Sequence, residues 1–282
     1  MAMWSIEEPT TLEFDRVTRL RVRTVRGRLS VVGSDERPRL EVLEVSGAPL
    51  VVRHGDDGEL EVGYDDWSQP NLLGWLLGRR KWKRRAVVFL AVPRDCPVDL
   101  NEVSSSVIVS GLRARVDVRV VSGDITLAGL AGPVHAETVS GSVEAQGIGD
   151  ELRMRTISGD VTLAEGLGGA VDAETVSGSV TCDLSRAGGG SIRLATVSGD
   201  VLIRVPDRSD LEVRLQSTSG QVTAAFDGLW HSGMPGRQLV EGRLGAGTAQ
   251  LVAKATSGNV ALLRRGSEEP DEDSGEPEGE PA

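Results

Sequence analysis

Apolar residues fall at every second position in many short runs of this chain, which is the pattern of β-strands that bury one face. Val134-His135-Ala136-Glu137-Thr138 is one such run, and Val171-Asp172-Ala173-Glu174-Thr175 is another. A shorter alternating run, such as Val143-Glu144-Ala145, follows after a Ser-Gly pair. Two short strands and their turns in every ~20 residues predict one coil of a β-solenoid.

The Ser-Gly pairs belong to a tandem repeat whose core is Val-Ser-Gly. Its glycines are 18, 18, 19, 21, 21 and 38 residues apart, and the last step equals two periods, so we expect an insertion near Gly233–Gly245 to have replaced one unit. Because apolar residues flank the motif, we expect each glycine at a corner where successive coils approach closely or φ is positive. The repeat glycines are Gly123, Gly141, Gly159, Gly178, Gly199, Gly220 and Gly258.

The residue after each glycine also follows a pattern. Stacking the coils in register would place these residues about 4.8 Å apart, and like charges directly opposite one another destabilise a sheet. The three aspartates of the column are separated by serines, which favours a structural ladder. A cation site is the alternative, but the Gly-Gly-x-Gly-x-Asp repeat of calcium-binding rolls is missing. The column reads Asp124, Ser142, Asp160, Ser179, Asp200, Gln221, Asn259.

The tandem Thr-Val-Ser-Gly-[Asp/Ser]-Val units resemble the bacterial β-strand-repeat family labelled "putative adhesin", also called the toastrack domain. Trp4–Pro9, Val92-Pro93, Gly245–Thr248 and Ala261–Arg265 are similar to chains of this family in actinobacteria, and the resemblance covers roughly residues 4–265. It implies a right-handed, single-stranded β-helix or solenoid and an association with cell-envelope stress systems. It implies no defined molecular function.

The sequence predicts one all-β domain over residues 1–266, with coils of ~18–21 residues over 101–266. Residues 1–100 are expected to form a β cap, because a bare first coil would expose a sheet edge. Asp56-Asp57-Gly58 between apolar runs predicts a hairpin within this cap. Residues 267–282 hold eight acidic residues with three prolines and two glycines, so a disordered, solubilising tail is expected.

The segment Asn71–Arg85 interrupts the cap and combines apolar residues with six cations in seven positions. This composition is typical of a membrane-surface anchor that binds anionic headgroups. A short helix whose leucines cap the core and whose cations are solvated is the simpler interpretation, and base stacking on Trp82 is a weaker one. The candidate membrane or anion-binding residues are Leu72, Leu73, Trp75, Leu76, Leu77, Arg79, Arg80, Lys81, Trp82, Lys83, Arg84 and Arg85.

Composition narrows the class of protein further. The net charge of −11 argues against a protein that coats nucleic acid. The N-terminus lacks a basic stretch followed by a long apolar run, and no stretch reaches the ~18 residues of a membrane span, so a cytoplasmic location is expected. Cys96 and Cys182 have no CxxC spacing and are expected to be buried thiols.

No catalytic, cofactor or metal site can be assigned from the sequence. His54, His135 and His231 have no Cys or His partner at metal-ligand spacing. The repeat serines lack the Gly-x-Ser-x-Gly frame of a nucleophile elbow. If a ligand site exists, the insertion Phe226–Arg243 is the best place for it.

Two functions remain open. The first is a non-catalytic scaffold, peripheral at the inner membrane face, that contacts the membrane or an envelope-stress partner through Asn71–Arg85. The second is a soluble protein-binding or self-assembling solenoid without a membrane role. The sequence does not identify the protein partner.

Overall fold

The computed structural model describes residues 1–65, 84–166, 169–186, 190–234 and 237–265. This part of the chain is all-β, with strands and no helix, which confirms the predicted fold class. Strands β1–β8 build the N-terminal part. They are β1 Ala2–Ile6, β2 Thr10–Glu13, β3 Arg19–Ser34, β4 Arg39–Ser46, β5 Leu50–His54, β6 Glu59–Gly63, β7 Arg85–Pro93 and β8 Val98–Ser110.

The Val-Ser-Gly units form the remaining strands, mostly two for each unit. They are β9 Val116–Ser122, β10 Ile125–Ala128, β11 Val134–Ser140, β12 Val143–Gln146, β13 Leu152–Ser158, β14 Val161–Gly166, β15 Val171–Ser177 and β16 Val180–Leu184. The chain continues with β17 Ser191–Ser198, β18 Val201–Pro206, β19 Leu211–Ser217, β20 Val222–Ala224, β21 Leu229–Met234, β22 Arg237–Leu244, β23 Ala249–Ser257 and β24 Val260–Arg265.

Successive coils stack in register as two parallel ladders. The longer strand of each coil pairs with its equivalent, so Val116 lies opposite Val134 and Val134 opposite Leu152. The shorter strand does the same on the second ladder, where Ile125 lies opposite Val143. Apolar residues alternate inward along both strands and form one continuous buried core. The alternation in the sequence therefore reports which face of each strand is buried.

The N-terminal end is closed by strands that run in both directions. β3 pairs in parallel with β8 on one side and with β6 and β7 on the other. β5 and β1 extend the first ladder antiparallel beyond β6, while β4 and β2 extend the second beyond β7. The predicted hairpin is confirmed, because β5 and β6 pair antiparallel around Asp56–Gly58.

At the C-terminal end the spatial order of the coils differs from the chain order expected from the repeat. β23 pairs with β17 on one side and with β19 on the other, so the last coil in sequence lies between two earlier ones. The hairpin β21–β22 causes this, because β22 pairs antiparallel with the outer edge of β19. Only the inner edge of β19 remains for β23. The inserted residues thus re-route the chain as well as replacing a unit.

Candidate functional site

The repeat glycines lie at the corner between the two ladders, as expected. Five of them have φ between +142° and +154°, and Gly258 has φ +155°. A Cβ on Gly159 would lie 2.1 Å from the carbonyl oxygen of Gly141, and the other repeat glycines meet the preceding coil in the same way. Both physical reasons for glycine therefore apply at this corner, namely a positive φ and a close approach of backbones.

A buried ladder of threonines lies just before the corner. Thr156 Oγ1 donates a hydrogen bond of 3.1 Å to the carbonyl oxygen of Gly141, and Thr175 Oγ1 donates one of 3.0 Å to Gly159. Thr138 and Thr196 make the equivalent bonds one coil earlier and later. Each hydroxyl thus satisfies a glycine carbonyl of the preceding coil, which explains why threonine precedes Val-Ser-Gly.

The residues after the glycines form a hydrogen-bonded ladder. Asp124 Oδ1 accepts the backbone N–H of Ser142 at 2.9 Å, and Asp160 Oδ1 accepts that of Ser179 at 2.8 Å. Asp200 Oδ1 accepts the N–H of Asn259 at 2.7 Å. The aspartates therefore cross-link neighbouring coils, in agreement with the structural interpretation of this column.

The side chain of the valine in Val-Ser-Gly points away from the core, although the strands before and after it both contribute residues to the core. Five coils in succession carry an aliphatic residue here, each about half exposed. They form a continuous stripe along the corner, which we call the aliphatic column. Its members and exposed fractions are Val121 48%, Val139 46%, Ile157 53%, Val176 47% and Val197 49%.

The predicted anion-binding segment falls largely outside the described residues, since only Arg84 and Arg85 of its candidates are described. β6 ends at Gly63 before the segment, β7 begins at Arg85, and Ala86 lies opposite Gly27. Gly27 in turn lies opposite Ser105, the position one coil before Gly123. The first residues of β7, directly after Arg84, therefore lie at the same corner that carries the aliphatic column.

Both described cations of this segment contact the cap. The Arg84 guanidinium lies over the Tyr64 ring, 4.9 Å from its centroid. Arg85 Nε lies 3.2 Å from Glu44 Oε1. Tyr64 is buried, and this burial raises the pKa of its hydroxyl to about 12. These two arginines thus stabilise the junction of the segment with the cap.

The candidate reactive groups have structural contacts. His54 Nε2 lies 2.8 Å from the carbonyl oxygen of Arg16. His135 lies on the outer face between Asp117 and Glu137, at 3.6 and 2.9 Å. Burial raises the pKa of the Cys96 and Cys182 thiols to about 12, so both are poor nucleophiles at neutral pH. Within the described ranges, no group of three His, Cys, Asp or Glu side chains could hold a metal ion.

The hairpin insertion, the place that the sequence indicated for any ligand site, lines a groove. The groove has a volume of about 710 Å³ and lies over the outer face of β23, β19, β22 and β21. Trp230 is 66% exposed on β21. Arg214 and Glu241 pair across the groove at 3.2 Å. The remaining charged or amide residues of its lining are Glu212, Arg243 and Gln250.

The burial of one glutamate, Glu102, could not be predicted from the sequence. Glu102 is 3% exposed at the junction between the cap and the repeats. The next coil has Val120 at this position, and the four coils after it have threonine. Its carboxylate accepts the Thr24 backbone N–H at 3.0 Å and the Thr24 hydroxyl. Burial outweighs these bonds and raises the pKa of Glu102 to about 7. The exposure of the aliphatic column could not be predicted from the sequence either. An apolar residue in an alternating run is expected to be buried, and only the position of the corner shows that these side chains point outward.

Stacked parallel ladders, a glycine corner and a cap define an all-β solenoid. Residues 145–263 match the family model Toastrack DUF4097. This match confirms, over residues 145–263, the resemblance of the repeat motifs to the toastrack family. No curated protein sequence matches the chain.

Two solved structures that match this chain carry adhesin descriptions. One is a "putative cell adhesion protein" from Clostridium sporogenes ATCC 15579, with 12% identity over 92% of this chain and 100% of that chain and a TM-score of 0.30. Another is a "putative adhesin" from Bacteroides fragilis NCTC 9343, with 12% identity over 91% and 97% and a TM-score of 0.39. These scores are low, so the assignment rests on the family model. Among the described residues, no helix is long and apolar enough to cross a membrane.

Proposed function

We propose that this protein is a non-catalytic toastrack binding module that contacts an anionic surface at the inner face of the membrane through Asn71–Arg85. The observation that carries the proposal is the position of the start of β7, at the end of this segment, at the solenoid corner. The described strands on either side of the segment, β6 and β7, both pair in parallel with β3 of the cap. Its arginines and lysines would bind headgroup phosphates, and its leucines and tryptophans would enter the interface.

Co-sedimentation with vesicles tests this proposal. The variant replaces Arg79, Arg80, Lys81 and Lys83 with glutamine and keeps Arg84 and Arg85, because those two contact Tyr64 and Glu44. At about 1 kcal/mol for each cation near an anionic surface, the loss of four should weaken binding to phosphatidylserine vesicles by at least 100-fold. Neutral phosphatidylcholine vesicles should bind the variant and the wild type equally weakly.

A matched control removes the same charge elsewhere. Four exposed arginines that make no ion pair within the described ranges are changed to glutamine: Arg113, Arg186, Arg193 and Arg208. This control should retain most of the affinity for anionic vesicles. Equal binding by the Asn71–Arg85 variant and the wild type would refute the membrane role and leave an envelope-stress protein as the partner to seek.

A soluble, self-assembling solenoid is the second candidate, favoured by the outer hairpin strand. β21 pairs with β22 on one side and with no other described strand, so its outer backbone groups are open to a further strand. Light scattering over a range of concentrations distinguishes the two functions. A molecular mass that rises with concentration would support assembly.

A further inference from the structure

The aliphatic column is not required by the fold. Thr218 and Thr256 occupy the same corner position in the last two coils, and the glycines that follow them, Gly220 and Gly258, meet the neighbouring coil as closely as the others do. Gly258 also has the positive φ of the other corners, whereas Gly220 does not. Threonine is β-branched like valine, so it satisfies the strand preference of this position equally well. Five successive aliphatic residues at half exposure therefore need an explanation other than local structure.

Charge differs on the two sides of the column. On the strand side, the neighbouring outward residues neutralise one another, with Arg119 3.7 Å from Glu137 and Arg155 3.2 Å from Glu174. Beyond the glycine lie Asp124, Asp160 and Asp200, all exposed, and no cation among the described residues lies within ion-pair distance of them. The corner thus presents an apolar stripe beside a row of unneutralised carboxylates.

The distance between these carboxylates along the solenoid fits the repeat of a helical partner better than that of an extended one. Asp124, Asp160 and Asp200 occupy alternate coils, so they repeat every ~9.6 Å along the solenoid. Cations at positions i and i+7 of an α-helix repeat every ~10.5 Å and share one face. In an extended strand, residues on one face repeat every ~6.6 or ~13 Å, which does not match. The column spans ~19 Å, about 13 residues of helix.

We infer that this corner binds a cationic amphipathic helix of a partner protein, which lies parallel to the solenoid axis. Its apolar side chains pack on the aliphatic column, and its lysines or arginines contact Asp124, Asp160 and Asp200. A second copy of this chain fits less well, because it would bring another row of aspartates to the same contact. An anionic membrane is repelled by the same row. No residue of this surface belongs to the Asn71–Arg85 segment of the proposed function, although β7 begins at the same corner.

The probe is a synthetic 15-residue helical peptide of leucine and lysine, with leucines on one face and lysines spaced by seven on the adjoining face. Binding to the full chain is followed by fluorescence anisotropy at about 0.1 M salt, where exposed charges farther apart than ~10 Å are screened. Replacing Val121, Val139, Ile157, Val176 and Val197 with threonine should weaken binding at least tenfold. The peptide with glutamate in place of lysine should not bind.

The second variant changes Asp124, Asp160 and Asp200 to asparagine, which the ladder accommodates because Asn259 Oδ1 already accepts the Gln221 N–H at 3.0 Å. Binding should again fall at least tenfold, with the thermal midpoint unchanged. Since the net charge of −11 attracts any cationic peptide, the control neutralises three other exposed acids, Asp95, Asp150 and Glu212. Leu43→Thr controls for loss of an exposed aliphatic residue elsewhere.

Three results would overturn the inference. One is equal weakening by the aspartate variant and its charge control, which would mean non-specific attraction. Another is unchanged peptide binding by the threonine variant. The last is self-association, or binding to anionic vesicles, that is lost in the threonine variant while peptide binding persists. The occupant of the column would then be a second copy of the chain or a lipid surface.

Discussion

At the scale of single residues, the corner glycines have the least freedom to change. Gly159→Ala should lower stability by at least about 3 kcal/mol, because the new Cβ would meet the Gly141 carbonyl oxygen at a strained φ of +150°. Gly129→Ala is the matched control, since φ there is +59° and a Cβ would meet nothing within 4 Å. It should cost only about 1–2 kcal/mol. Thermal unfolding compares the two, and similar shifts in the midpoint would contradict the steric argument.

Glu102 should make stability depend on pH. Its pKa is about 7 in the folded protein against an ordinary value of 4.5, because burial disfavours the carboxylate. The folded state holds a proton that the unfolded state releases, so stability is fully present below pH 4.5 and is lost as pH rises through 7. The loss amounts to about 3 kcal/mol. Glu102→Gln should therefore unfold at a higher temperature than wild type at pH 8.5 and differ little at pH 5.

Thermal unfolding from pH 5 to 8.5 checks the role of Glu102. Glu212→Gln, at an exposed position of β19, serves as the control and should follow the wild-type profile. A Glu102→Gln protein with the wild-type pH dependence would show that another group titrates.

Individual residues also mark the limit of what the sequence predicts. The role of Gly159 follows from its recurrence, because only a repeated backbone requirement explains a glycine in every coil. Glu102 carries no such signal, since a lone glutamate in an alternating strand is ordinarily exposed. Only its pairing with Thr24 across 78 positions of sequence reveals that it is buried.

At the scale of elements, alternation predicted the strands but not their order at the C-terminal end. The units around Gly220 and Gly258 carry equivalent motifs, so either fits beside the Gly199 coil. The order is determined by β22, because it pairs with the outer edge of β19 and only the inner edge of β19 remains for β23. Antiparallel pairing of an inserted segment has no signature in the repeat itself.

Engineered disulfides can test this order of strands. Ser198 and Ser257 are direct partners in the ladder, so cysteines at both positions should form a disulfide on mild oxidation. Ser198 and Ser219 are separated by the intervening coil, about 9.6 Å away, and a cysteine pair there should stay reduced. Cys96 and Cys182 are buried and do not compete. Mass spectrometry after proteolysis identifies which positions are linked. A disulfide between positions 198 and 219, with none between 198 and 257, would show that the coils stack in the order of the sequence.

At the scale of the whole molecule, the surfaces of the solenoid have distinct chemistry. The outer face of the first ladder carries ion pairs such as Arg153 with Asp172 at 3.4 Å, which leave little net charge there. The corner carries the aliphatic column, and the far end carries the groove at Trp230. The glycines and the threonines of the repeat units specify how the coils stack. The corner stripe shows that the same motif, through its valine, also specifies an exposed surface.

The position of the last coil has a consequence for how the protein is made. A ribosome releases β19 and β20 before β23 and β24 exist, and the inner edge of β19 can then pair with β17 directly. That pairing uses equivalent motifs and must open again before β23 can enter between the two strands. We therefore expect the C-terminal third to mature only after synthesis ends. A chain truncated after Ala225 should settle into a shorter stack whose neighbours differ from those of the complete protein.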